Sequence, residues 1–232
     1  KVNYSIKWER SDFDIRSGDY GQAWYNGPKQ KGAWNLRITK GSASWLYAHI
    51  HRAAEVYYYH HSDYGIQAPS ARLNSEQKLH IGGKTKEGRS KYLDFKKLIL
   101  ASQVAIYQYT GKKDYAGNAE QKRSDEIFAT TIHELAHVSH WNMGYSTLQY
   151  VIDWTKEPVI AESWAACVEY YITSNIYGGN CATDYQGSEI SDMNDGYTSL
   201  FIDMIDVYNQ RVKGDLFPID KVSGYTLEQI EN

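Results

Sequence analysis

The feature that most constrains this 232-residue chain is a five-residue run, His133-Glu134-Leu135-Ala136-His137, set inside a stretch of helical periodicity. Ile127, Thr131, Leu135 and Val138 fall on one stripe. Ser124 offers an N-cap hydroxyl, and Asp125 and Glu126 suit the positive end of a helix dipole. Gly144 supplies a stop. The pattern predicts a helix over about 124–143. On such a helix, side chains four apart lie within ~40° of one another and ~6 Å apart along the axis. His133 and His137 therefore project from one face, where a single ion can take a nitrogen from each. Glu134 is turned by a further ~100°. Its carboxylate then sits beside a metal but off the ligand axis, where it can take a proton from water rather than bind the ion. The plain alternative is a histidine pair on an ordinary helix, satisfied by solvent or by core contacts.

A catalytic zinc usually takes three protein ligands and a water, so the choice turns on a third ligand. A second helix is predicted over 158–176, opened by Pro158 at its first position and followed by Gly178-Gly179. It carries Glu162 within Ile160-Ala161-Glu162-Ser163-Trp164-Ala165-Ala166. A carboxylate in that apolar setting is costly to bury alone, and a cation relieves the cost. Two rivals are weaker. His140 shares the face of His133 and His137, but one straight helix does not wrap three ligands around a tetrahedral ion, so it is read as supporting the ligands or lining the cleft. Glu157, just before Pro158, suits the helix dipole without any metal.

HELAH followed by a glutamate in an AESWA-like helix resembles the gluzincin branch of the zincin metallopeptidases, over residues 124–172. The resemblance implies His133, His137 and Glu162 as zinc ligands and Glu134 as general base. It implies a zincin-like α+β fold: a mixed β-sheet over the motif helix, followed by a mainly helical C-terminal lobe. It also implies a sheet edge that pairs with an extended peptide substrate. Many gluzincins carry an acidic residue four positions after the glutamate ligand, where this chain has Ala166; Glu169, on the same helical face as Glu162, or Asp153 can take its place. The longer pattern with a glycine and a third histidine is absent, since positions 140 and 143 are His and Met. A side chain to stabilise the oxyanion is expected near the metal. Tyr145, Tyr150, Tyr170, Tyr177 and Tyr197 are candidates; Tyr150, between the two ligand helices, is the one chosen.

The rest of the chain reads as one domain, 1–232, with a β-rich lobe over 1–123 and a helical lobe over 124–232. Tyr4-Ser5-Ile6-Lys7-Trp8 and Trp34-Asn35-Leu36-Arg37-Ile38 alternate like strands. Ser42 or Ser44 caps a helix over about 45–61, with Leu46, Ile50, Ala53, Ala54 and Tyr57 on its apolar stripe. Residues 78–83 read as a short strand or turn, and 91–100 as ambiguous. Residues 102–109 are β-branched and aromatic, hence a strand, either the sheet edge or its interior. A further helix is expected over 196–212, then loops and one more turn.

The net charge of -3 gives no field to gather nucleic acid, and no run of ~18 apolar residues spans a membrane. The 21 tyrosines and 7 tryptophans serve either as packing or as half-wet contact surface. Cys167 and Cys181 allow a disulfide or two thiols and lack zinc-binding spacing. The opening at Lys1 is read as the processed form of a secreted, periplasmic or surface-attached protein. The expected function is zinc-dependent hydrolysis of peptide or protein substrates. The alternatives are a zinc-stabilised binding module that keeps the fold without turnover, and a hydrolase of non-peptide amides. Nothing in the sequence specifies an oligomeric state.

Overall fold

A computed structural model describes residues 1–69, 78–92, 101–141, 158–178, 199–207 and 222–231. The chain is a mixed α+β protein with a mixed sheet. It forms two compact units, Lys1–Glu55 with Ser70–Thr131, and Val56–Pro69 with Ile132–Asn232. The division falls inside two helices, α1 (Ala43–Tyr59) and α2 (Ser124–Trp141).

In the first unit, β1 (Val2–Lys7) pairs antiparallel with β4 (Trp24–Gln30) as a two-stranded ribbon. The main sheet is built on β2 (Phe13–Ser17), β5 (Leu79–Glu87) and β7 (Val104–Lys113), which run parallel in that order. Three short antiparallel strands complete it: β3 (Gly21–Gln22) beside β2, and β6 (Lys91–Tyr92) and β8 (Ala119–Gln121) beside β7. Strand alternation puts Phe13, Ile15, Ile81, Val104 and Ile106 on one face, all fully buried. Helix α1 lies on that face. A Cβ at Gly83 would stand 2.7 Å from the Tyr47 ring and 3.2 Å from Leu46, and the His51 ring centre is 5.2 Å from that of Phe13. The Ser42 hydroxyl caps α1 by accepting the Trp45 N–H at 3.1 Å. The opposite face carries Asp14 and His80 in register. Asp14 accepts from His80 Nδ1 at 2.7 Å and from Arg16 Nε at 3.0 Å, so the buried carboxylate is paired.

Three expectations change, and the alternative left open for residues 102–109 is decided. Residues 34–38 form no strand. Instead the Trp34 ring lies on the ribbon, 5.6 Å from Tyr4 and 5.7 Å from Tyr25 between ring centres. The strand at 102–109 is interior, not an edge open to substrate. Beyond β5 on one side, its other side is closed by β6 at Val104 and Ala105, by the Ser90 hydroxyl accepting the Tyr107 N–H at 3.0 Å, by the Lys122 N–H donating to the Gln108 carbonyl at 3.0 Å, and by β8 from Tyr109. The cap of α2 falls on Arg123, one residue before Ser124. The Arg123 carbonyl accepts the Ile127 N–H, and the Glu126 carboxylate reaches back to the Arg123 N–H. Of the helix expected over 196–212, the described residues 199–207 hold α4 (Leu200–Ile205), which ends before Asp206, extended with ψ 173°.

The second unit contains the latter part of α2, then α3 (Pro158–Tyr177), α4 and α5 (Leu227–Glu231), with a 3-10 turn at His61–Tyr64. Gly178, at φ 79°, ends α3 by donating its N–H to the Ser174 carbonyl at 2.8 Å. The rings of Trp164 on α3 and Phe201 on α4 meet edge to face at 5.8 Å. No described helix is long and apolar enough to cross a membrane.

Candidate metal centre

The two histidines of α2 and two glutamates of α3 meet inside the second unit. On α2, His133, Glu134 and His137 are all buried. Their helix turns the two imidazoles toward each other, with Nε2 atoms 3.1 Å apart. On α3, Glu162 and Glu169 are seven positions apart, two turns along one face. Glu162 Oε2 stands 3.2 Å from His133 Nε2 and 3.4 Å from His137 Nε2. Glu169 Oε2 is 3.0 Å from His133 Nδ1. The Glu162 side chain is 19% exposed against 2% for His137 and 5% for Glu169, so solvent reaches the cluster on the Glu162 side.

The bond to Glu169 decides the chemistry of His133. A carboxylate can only accept, so Nδ1 carries a hydrogen. A neutral His133 then directs the Nε2 lone pair at His137 Nε2 and Glu162 Oε2. The carboxylates of Glu162 and Glu169 on either side of buried imidazoles favour a cation among these groups, either a proton or a metal. In the metal-free protein the proton goes to His133. Burial opposes its charge, but hydrogen bonds to Glu162 and Glu169 and the charges of Glu169 and Glu134 outweigh it and raise the group to about 10. Only one imidazole can take that proton at this separation. Burial and the positive charges of His133 and His140 push His137 down to about 4, against the pull of Glu162. Burial pushes Glu162 up, but its hydrogen bonds from His133 and His137 hold it well below the usual carboxylate range.

The same atoms fit a metal. A tetrahedral zinc with bonds of ~2.0–2.2 Å sets its donors roughly 3.3–3.5 Å apart. The observed edges of the His133–His137–Glu162 triangle are 3.1, 3.2 and 3.4 Å. Two imidazole nitrogens and one carboxylate oxygen suit a borderline divalent ion.

Of the residues singled out from sequence, His133, His137 and Glu162 are brought together, and Glu134 is buried beside them, its charge acting on His133. Glu169 bonds Nδ1 of His133. His140 is half-buried on the same helix, and its charge acts on His137. Tyr145, Tyr150, Asp153, Glu157, Cys181 and Tyr197 lie outside the described residues. Cys167 is buried in α3. Sequence reasoning did not single out Ser139, two residues past His137. Its hydroxyl donates to the Gln67 carbonyl at 2.7 Å and ties the end of α2 to the segment after the 3-10 turn. That pair is remote in sequence and leaves no local pattern. No family model, curated protein or solved structure matches this chain.

Proposed function

We propose that this chain is a zinc-dependent metallopeptidase of the gluzincin type with a zincin-like fold. Zinc would be held by His133, His137 and Glu162, and Glu134 would act as general base. One observation carries the reading: the Nε2 atoms of His133 and His137 and a Glu162 oxygen form a triangle of zinc-like size. The mixed sheet ahead of the motif helix and the spacing of HELAH before Glu162 also support it.

Zinc bound there would lower the pKa of a water from 15.7 to about 7 and polarise the scissile carbonyl. The residues of the chain supply the rest. Glu169 fixes the His133 ring and its tautomer. Glu134, one residue past His133 and outside the triangle, collects the proton from the attacking water and returns it to the leaving amine. Its burial keeps bulk water from competing for that proton. Tyr150 is the proposed stabiliser of the oxyanion. Peptide recognition by strand addition cannot use β7, whose two sides are already paired.

The test is digestion of a peptide library by the wild-type chain and by Glu134→Ala, with the metal content of both determined. The expected result is one zinc per chain in both proteins and a loss of cleavage of about 10²–10⁴-fold in the variant, the usual worth of a positioned acid–base group. Full zinc occupancy with no cleavage of any peptide by the wild type would favour a zinc-stabilised binding module. Equal cleavage by both proteins would remove Glu134 from the mechanism.

A further inference from the structure

Within the second unit, α5 packs on the segment that follows the 3-10 turn. Its start is preformed: Gln229 Oε1 accepts the Thr226 N–H at 2.9 Å, and the Thr226 hydroxyl accepts the Gln229 N–H at 3.2 Å. Leu227 and Ile66 are both buried. Gly65, at φ 68°, lies against Glu228, where a Cβ would stand 2.9 Å from the Glu228 Cβ. Gln67 then joins α5 to α2 through its own backbone. Its N–H donates to Glu231 Oε2 at 2.9 Å, and its carbonyl accepts the Ser139 hydroxyl at 2.7 Å. Ser139 is fully buried, two positions past His137.

The second oxygen of Glu231 sets how firmly α5 is held. Oε1 is buried and has no hydrogen-bond partner among the described residues. A neutral carboxyl tolerates that place, whereas a carboxylate loses solvation there that the contact does not return. The titratable groups around the junction do not supply it either. Tyr57 on α1 is fully buried beside Ser139 and held neutral by that burial. His61 gives its Nδ1–H to the Ile66 carbonyl at 2.8 Å, and Asp63 pairs with His60. Glu228 carries the same charge as Glu231. Burial, opposed by the Gln67 N–H, raises Glu231 to about 7. We propose that α5 is a proton-held clasp: it grips residues 65–67, and through Gln67 the end of α2, while the Glu231 carboxyl is neutral, and slackens when that carboxyl ionises. The folded value lies above the ordinary 4.5, so the grip is complete below about pH 4.5 and is lost as pH rises through about 7. The proposal does not depend on a bound metal.

The test is hydrogen exchange by mass spectrometry on the full chain, at about pH 5 and about pH 8, with protection taken relative to the unfolded chain at the same pH. Protection over 226–231 is expected to fall by about tenfold or more between the two, less than the whole shift because Glu231 is half-buried and screened. The 127–135 stretch of α2 should change by less. Glu231→Gln keeps an acceptor for the Gln67 N–H without the charge, and should hold high protection at both pH values. Wild-type protection that does not fall, or that falls equally in Glu231→Gln, would overturn the proposal; in the second case a histidine such as His61 is the sensor. Where the variant fails to fold, the carboxyl carbon of Glu231, followed by NMR in the labelled wild-type chain, decides. Titration near 7 in step with the loss of protection supports the clasp, and titration in the ordinary range of about 4.3 overturns it.

Discussion

His133 stands between two carboxylates of one helix, and this placement decides which of its nitrogens faces the cluster. Glu169 holds Nδ1 at 3.0 Å while Glu162 meets Nε2. Supporting partners of this kind typically change metal affinity by about 10–100-fold. Glu169→Ala is therefore expected to weaken zinc binding within that range, measured by competition with a chelator. Glu169→Gln keeps an acceptor for Nδ1–H and should fall between wild type and alanine. Identical affinities for all three would assign Glu169 a packing role only. This part of the site was legible in the sequence because helix geometry converts spacing into direction: four positions bring His137 beside His133, and seven bring Glu169 onto the face of Glu162. The choice of Tyr150 had no such support. With 21 tyrosines, residue type alone does not select one.

At the scale of elements, the readings that failed are those where a pattern leaves the partner unspecified. Residues 34–38 alternate as a strand does, yet alternation says which side chains point inward and nothing about what pairs with the backbone. Here the inward residue Trp34 packs on Gly27, where a Cβ would come within 2.6–2.9 Å of its ring. The ring therefore depends on the missing side chain. Gly27→Ala should displace it and destabilise the protein by about 1–3 kcal/mol, as overpacking does. Chemical denaturation can read this, and the penalty should largely vanish in a Trp34→Ala background, where the clash is gone. A full penalty in that background would place the cost in the backbone instead. The sequence left β7 open between edge and interior for a related reason: its outer side is closed partly by Ser90 and Lys122, single contacts with no periodicity to read. The helices were legible because their stop and start residues are local. Gly178, Pro158 and Ser42 each act where they stand.

At the scale of the whole molecule, the proposed metal site would make stability depend jointly on pH and metal. In the metal-free protein, the folded-state value of His133 is raised to about 10 from 6.5. Its protonated form is stabilised by folding, so that contribution is complete below pH 6.5 and is lost as pH rises through about 10. Glu231 adds a smaller term of the same sign up to neutrality. Burial raises it to about 7, the Gln67 N–H holds it back, and its partial exposure screens the effect. His137, lowered to about 4 by burial, acts only on the acid side, where its contribution is lost as pH falls from 6.5. Metal-free thermal stability should therefore decline between pH 7 and pH 10. Zinc needs His133 Nε2 without its proton, so at pH 7 binding should release close to one proton per chain, and apparent affinity should rise by about tenfold per pH unit until His133 titrates. The zinc-loaded protein carries no proton on Nε2 to lose, so the gap in melting temperature between loaded and metal-free protein should widen from pH 7 to pH 9. Calorimetric titration of zinc in buffers of different ionisation enthalpy measures the released proton, and melting scans measure the gap. A proton count near zero at pH 7, with a gap that does not widen, would mean that His133 is neutral before the metal arrives and that Glu162 and Glu169 do not share a charged imidazole between them.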